Sequence, residues 1–181
     1  MGWDEGLFDL LDDLEGQAEA MYAAERDAEL ADRSRAEYAT VTLSGRLMAS
    51  VGRPVVLDVE GAGRVAGELR RVGRGWCLVR EPVGDALVPT AAVAAAEGLS
   101  ERAVPERAWS PVARLGLGSA LRRLADAGAP CLVLTRSGGC HEVVLLRVGG
   151  DFVEAESAGE RPRRVLLALA SVGAVRSSDP A

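Results

Sequence analysis

The chain has no lysine, and all 21 of its basic residues are arginine. With its abundant alanine, glycine and valine, that composition points to a GC-rich genome. Aromatic residues make up only 4%, so any core must be built mainly from Val, Leu and Ala. There is a single histidine, His141, and no Ser-His-Asp set can be assembled without it. His141 follows Cys140, but adjacent strand residues point to opposite faces, so the pair does not converge on a nucleophile and base or on half a metal site. G-x-S-x-G, a P-loop, a G-x-G-x-x-G between strand and helix, and a paired-cysteine zinc signature are all missing. "GLGSALRR" (116–123) faintly resembles a phosphate-binding loop, yet it lacks the P-loop lysine, and Gly-Ser before an amphipathic helix is an ordinary helix start. No catalytic residue, cofactor or metal ligand is therefore expected, and the chain reads as a protein that is not an enzyme.

The three cysteines, Cys77, Cys131 and Cys140, are odd in number and have no zinc-ligand spacing. Each sits in an apolar or strand-like segment, so buried, reduced thiols in a cytoplasmic protein are expected. Long apolar runs are absent too. "LALASVGAV" is among the longest, well short of the ~20 residues that span a bilayer. The acidic start "MGWDEGLFDLLDDLEG" lacks the basic n-region of a signal peptide. No membrane association is expected.

What the chain does have is an uneven distribution of charge. Its first 40 residues hold twelve Asp/Glu and three Arg, a net −9. The remaining residues hold fifteen acids and eighteen Arg, a net +3. An acidic arm on a mildly basic body argues against a strongly cationic nucleic-acid binder, whose affinity comes from many phosphate contacts.

The arm (1–40) reads as one long helix without proline. Leu7, Leu11, Leu14, Ala18 and Met21 recur at steps of four and three along one stripe. Phe8, Leu10 and Tyr22 widen that stripe, Trp3 falls on one face with Phe8 and Leu11, and beyond Tyr22 the stripe fades into alanines and mixed charges. Barely two heptads are sustained, too few for a free-standing coiled coil. Trp3, Leu7, Phe8, Leu11 and Leu14 are the candidate partner-binding residues, because large apolar anchors on an acidic helix suit a groove.

From residue 43 onward an internal similarity appears. A shift of 76 positions lays "PVVLDVEGAGRVAGELRRVGRGWCLV" (54–79) on "PCLVLTRSGGCHEVVLLRVGGDFVEA" (130–155) without a gap, with six identities in 26 positions. The punctuation also recurs. A short amphipathic helix (43–52; 117–128) ends on glycine, and a proline follows. Strands are then expected at 55–59, 64–72, 75–80, 86–90 and 91–96, with counterparts at 131–135, 140–148, 151–156, 163–167 and 168–175. A helix and five short strands in about 55–60 residues suggest a small barrel. Trp76 and its counterpart Phe152 are expected in the barrel cores.

"GRPVVLDVEGAGRVAGELRRVG" is similar to the first motif of the Sm/LSm fold, with Gly67 where the family's second strand bends. "ALVPTAAVAAA" (86–96) resembles the second motif in outline. The resemblance implies a mainly β chain with helices: an acidic amphipathic N-terminal helix (1–40), a first Sm/SH3-like five-stranded barrel (41–99), a linker (100–116), a second barrel (117–176) and a disordered tail (177–181). The family's RNA sites do not carry over. The turn before the last strand offers only Pro89 and Thr90, and Val143 stands where the second barrel would place its glycine. Two fused barrels imply a pseudo-two-fold monomer or a dimer.

The expected function is a non-enzymatic cytoplasmic interaction or scaffold protein, self-associating or docking a protein partner through the N-terminal helix. The alternative, not favoured, is an RNA- or DNA-binding regulator using Arg70, Arg71, Arg74, Arg122, Arg123, Arg161, Arg163 and Arg164.

Overall fold

A computed structural model describes residues 3–159 and 161–177, with the side chains of 3–13, 18, 20, 23, 24 and 28 outside that description. The chain divides into two compact units, Met1–Val41 and Thr42–Ala181. The first contains helix α1, Trp3–Tyr38. Of its large apolar side chains that are described, Leu14, Met21, Tyr22 and Leu30 are all more than half exposed. The expected tail at 177–181 falls, beyond Ser177, outside the described residues.

The second unit is mainly β. Helix α2 (Leu43–Met48) starts where the Thr42 hydroxyl accepts the Gly45 N–H at 3.1 Å, an N-cap that satisfies one orphan donor. It is shorter than the expected 43–52, because residues 49–52 turn the chain toward the sheet and end on Gly52 at φ +84°. Helix α3 (Leu117–Ala127) closes on Gly128 in the left-handed region at φ 63°, as its Ala-Gly-Ala-Pro sequence requires.

The strands are β1 (Pro54–Val59), β2 (Gly63–Gly73), β3 (Trp76–Glu81), β4 (Gly84–Pro89), β5 (Val93–Glu97), β6 (Pro130–Thr135), β7 (Cys140–Val148), β8 (Phe152–Ser157), β9 (Arg164–Ala168) and β10 (Val172–Ser177). They form one antiparallel sheet in the order β5-β1-β2-β3-β4-β10-β6-β7-β8-β9. This corrects the expectation of two separate barrels, since the ladder runs on from β4 to β10 through Val175↔Leu87 and Arg176↔Ala86. Left apart, β4 and β10 would each present unpaired backbone groups along an edge, and pairing removes both edges. The expected fifth strands are also shortened at their starts. Thr90–Ala92 and Leu169–Ser171 are single 3-10 turns, anchored by Thr90 N–H to the Gly75 carbonyl (3.0 Å) and Leu169 N–H to that of Asp151 (2.8 Å).

The two five-strand halves share their register. Pro54 lies opposite Glu68, and 76 positions later Pro130 lies opposite Val144. The ladder between β2 and β3 slips at Leu69/Arg71, and that between β7 and β8 slips at Leu145/Arg147. Val59 faces Val93 as Thr135 faces Val172. Each half has its own apolar cluster. The first is built around Leu47, Leu57, Val65, Leu69 and Val79, the second around Leu121, Val133, Val143, Leu145 and Val153.

The bridge between the halves is not loose chain. Trp109 is only 5% exposed in the first cluster, and its indole N–H donates to the Val104 carbonyl at 2.9 Å. The buried Ser50 hydroxyl donates to the Arg46 carbonyl and accepts the Ser100 N–H, at 2.7 and 2.8 Å, fastening the bridge to α2.

Candidate functional site

The second unit holds a cleft of about 670 Å³. Its walls come from α2, β2, β3, β4, α3 and the bridge segment 110–115. The floor is apolar, with Leu78, Leu87, Val72 and Trp76, while Val51, Val112, Leu115 and Leu124 stand at the rim between 37% and 65% exposed. Arg70 and Arg71 enter from β2 and Arg123 from α3. The slip in the β2–β3 ladder between Leu69 and Arg71 explains why the two neighbouring arginines reach one place. An extra residue in one strand bends it and re-aims its side chains.

Trp76 is half-buried in this wall and packs against the second apolar cluster, not inside the core of its own half, which corrects the sequence expectation. Its indole N–H donates to the Leu115 carbonyl at 2.9 Å. The ring lies on Gly73, where a Cβ would come within 2.6 Å of Cζ2 and nearer still to Cε2. Phe152 repeats the arrangement over Gly149, at 2.6 Å from a Cβ placed there, and is 38% exposed. The recurring Val-Gly before each aromatic thus serves the ring: glycine leaves the flat surface on which it lies.

Of the eight arginines expected at a nucleic-acid face, Arg70, Arg71 and Arg123 meet at the cleft. Arg74 is held elsewhere by Glu106 at 2.6 Å, and Arg70 is shared with Glu68 at 3.0 Å. Arg122 is on α3 beside Gly118 and does not line the cleft. Arg161 and Arg163 lie in the β8–β9 connection, and Arg164 pairs with Glu154 at 3.0 Å. Glu154 also takes Arg147 at 2.6 Å, and that hydrogen bond, more than the surrounding charge, holds its carboxyl below the usual range. Glu60 is held low in the same way by Arg136, at 2.7 Å.

Among the expected partner-binding residues, Leu14 is 51% exposed on α1, and the side chains of Trp3, Leu7, Phe8 and Leu11 lie outside the described residues. Sequence reasoning missed Val112 and Leu115, whose segment "SPVARLG" reads as linker because of its proline and glycine. Leu78 and Leu87 were legible as strand residues but not as cleft lining, since the outward face of a strand carries no mark in its periodicity.

The cysteines divide in a way that corrects the expectation of three buried thiols. Cys77 and Cys131 are buried, and burial pushes their thiols up to about 12 and about 11. Cys140 is exposed, because it opens β7 beside the Gly138–Gly139 turn. Among the described residues no three His, Cys, Asp or Glu side chains cluster as metal ligands would, and no helix is long and apolar enough to cross a membrane. A scan against protein-family models gives no match for this chain, and a search of curated proteins gives none.

Proposed function

We propose that this chain is a non-enzymatic interaction protein. Its two five-strand halves are two Sm-like small barrels fused edge to edge, and its acidic N-terminal helix is the self-associating element. The shared ladders and matched slips support the barrel reading. The observation that carries the function is the exposure of Leu14, Met21, Tyr22 and Leu30, at 51%, 74%, 66% and 63%, along a helix that forms a unit of its own. Large side chains of this kind on a helix gain free energy when a partner covers them. Light scattering coupled to gel filtration tests this on the full chain and on a chain lacking residues 1–40. The full chain is expected as a dimer and the shortened one as a monomer. Equal oligomeric states would refute the proposal.

The nucleic-acid reading rests on a different observation, the meeting of Arg70, Arg71 and Arg123 beside Trp76. It is the weaker one, because Arg70, Arg74 and Arg164 are already opposite carboxylates. Binding of a labelled single-stranded oligonucleotide at low salt, lost in Arg71→Ala with Arg123→Ala, would favour it.

A further inference from the structure

Two features of this chain complement each other in both polarity and charge. The cleft combines an apolar floor (Leu78, Leu87) with an exposed apolar rim (Val112, Leu124), and carries Arg71 and Arg123, for which no carboxylate partner is found among the described residues. The first fifteen residues hold six acids, Asp4, Glu5, Asp9, Asp12, Asp13 and Glu15, and the first arginine comes only at 26. Interleaved with them are Leu7, Leu11 and Leu14, spaced for one face of a helix. A neutral hydrophobic partner would leave the guanidiniums uncompensated, and a polyanion without apolar groups would leave the floor uncovered. An acidic amphipathic helix answers both.

We infer that the cleft of one copy receives the acidic amphipathic segment Trp3–Leu14 of a second copy. The inference rests on the self-association proposed above and names the surface that the helix meets. A cleft of about 670 Å³ does not enclose a helix. It takes one stripe of side chains, and Leu7 to Leu14 spans about 10 Å at 1.5 Å per residue. By helix periodicity, laying Leu7, Leu11 and Leu14 toward the floor leaves Asp4 and Glu15, about 50–75° round the helix from that stripe, as the carboxylates that flank it toward Arg71 and Arg123, while Asp9, Asp12 and Asp13 fall on the far face and add only net charge. Two copies related by a two-fold axis close the contact reciprocally, each giving its helix to the other's cleft, which makes the dimer interface isologous.

The test uses full-length chains. Arg71→Glu with Arg123→Glu is expected to raise the dimer dissociation constant at least about tenfold, because like charges then face the helix. Circular dichroism and a urea transition check that the variant is folded. Asp4→Arg with Glu15→Arg, made in a second chain, reverses the charges beside the leucine stripe and is expected to weaken its own dimer. Mixing the two variants is expected to restore a heterodimer in which both contacts are charge-matched, the native helix in the native cleft and the reversed helix in the reversed cleft. Raising salt from 50 to 500 mM should weaken the wild-type dimer. A dimer that needs residues 1–40 yet ignores both charge reversals overturns this inference and leaves the self-association proposal standing. A dimer that persists without residues 1–40 overturns both. Oligonucleotide binding that depends on Arg71 and Arg123, in a protein that stays monomeric, assigns the cleft to nucleic acid.

Discussion

Gly67→Ala adds one carbon to the chain. Gly67 is not among the glycines in the left-handed region, so alanine meets no backbone strain there. Judged by chain entropy alone, the change would stabilise the fold by about 0.4–1 kcal/mol. Packing decides otherwise. The new Cβ would stand 2.7 Å from the carbonyl carbon of Arg80 and 3.1 Å from Glu81 Cα, and closer still to the Arg80 oxygen. Ordinary contact begins at 3.4 Å, so β2 and β3 must separate locally by about an ångström. Ladder hydrogen bonds do not survive such a stretch. Losing two of them, at about 1 kcal/mol each, and overpacking the site by about 1–3 kcal/mol outweighs the entropy gain. The net expectation is a destabilisation of about 3 kcal/mol. With a urea m value of about 2 kcal/mol/M, the unfolding midpoint falls by about 1.5 M. The measurement is a urea titration followed by circular dichroism. A midpoint within about 0.3 M of wild type would refute the steric argument, and with it the claim that glycine is required for the close approach of these strands.

Three further outcomes are expected. With iodoacetamide at pH 8, one thiol per folded chain reacts quickly, and peptide mapping finds it at Cys140. Cys77 and Cys131 react only in denaturant, because burial holds their thiols in the unreactive protonated form. Trp109→Ala costs about 3–5 kcal/mol by urea unfolding, since it removes a buried ring from the first cluster together with the indole bond to Val104. A loss under about 1 kcal/mol would mean the bridge is not packed as described. Glu154 has a folded pKa below the ordinary 4.5, so its contribution to stability is present above that pH and is lost as pH falls through the folded value. Glu154→Gln should therefore flatten the fall in stability below pH 4.5, and an unchanged slope in acid unfolding curves would remove the Arg147–Glu154–Arg164 cluster as a cause.

Much of the fold was legible because its punctuation is chemical. Glycine at 128 in the left-handed region, proline at 54 and 130, and Val-Gly before each aromatic mark local geometry that few other residues supply. The β-branched and Leu-rich runs expected as strands at 55–59 and 131–135 lie within β1 and β6. The joining of β4 to β10 was not legible. It depends on backbone groups that every residue carries, and only two residue pairs form it. Its side-chain support, Arg176 with Glu81 at 2.9 Å, links residues 95 positions apart, with no local pattern to reveal them. The roles of Trp76 and Phe152 were misjudged for a simpler reason. A large ring near a turn reads as core, and only the glycine beneath it shows that the ring lies flat on the surface of the strand. The candidate cleft was half visible: its arginines stood out as clusters, while its apolar wall is shared among six segments of chain.

The matched ladders also bear on how the chain avoids misassembly. A newly made β3 meets two strands, β2 and β7, whose bulges lie at the same place in their registers. If side chains were ignored, either would serve, and an exchange of strands between the halves would trap the chain. The pair Gly67 and Val143 breaks that degeneracy. Valine at 143 fills its own core and is 1% exposed, but in the position of Gly67 it would drive its Cβ into the backbone of Arg80. The Cβ that Gly67 lacks thus sets β7 apart from β2 as a neighbour for β3.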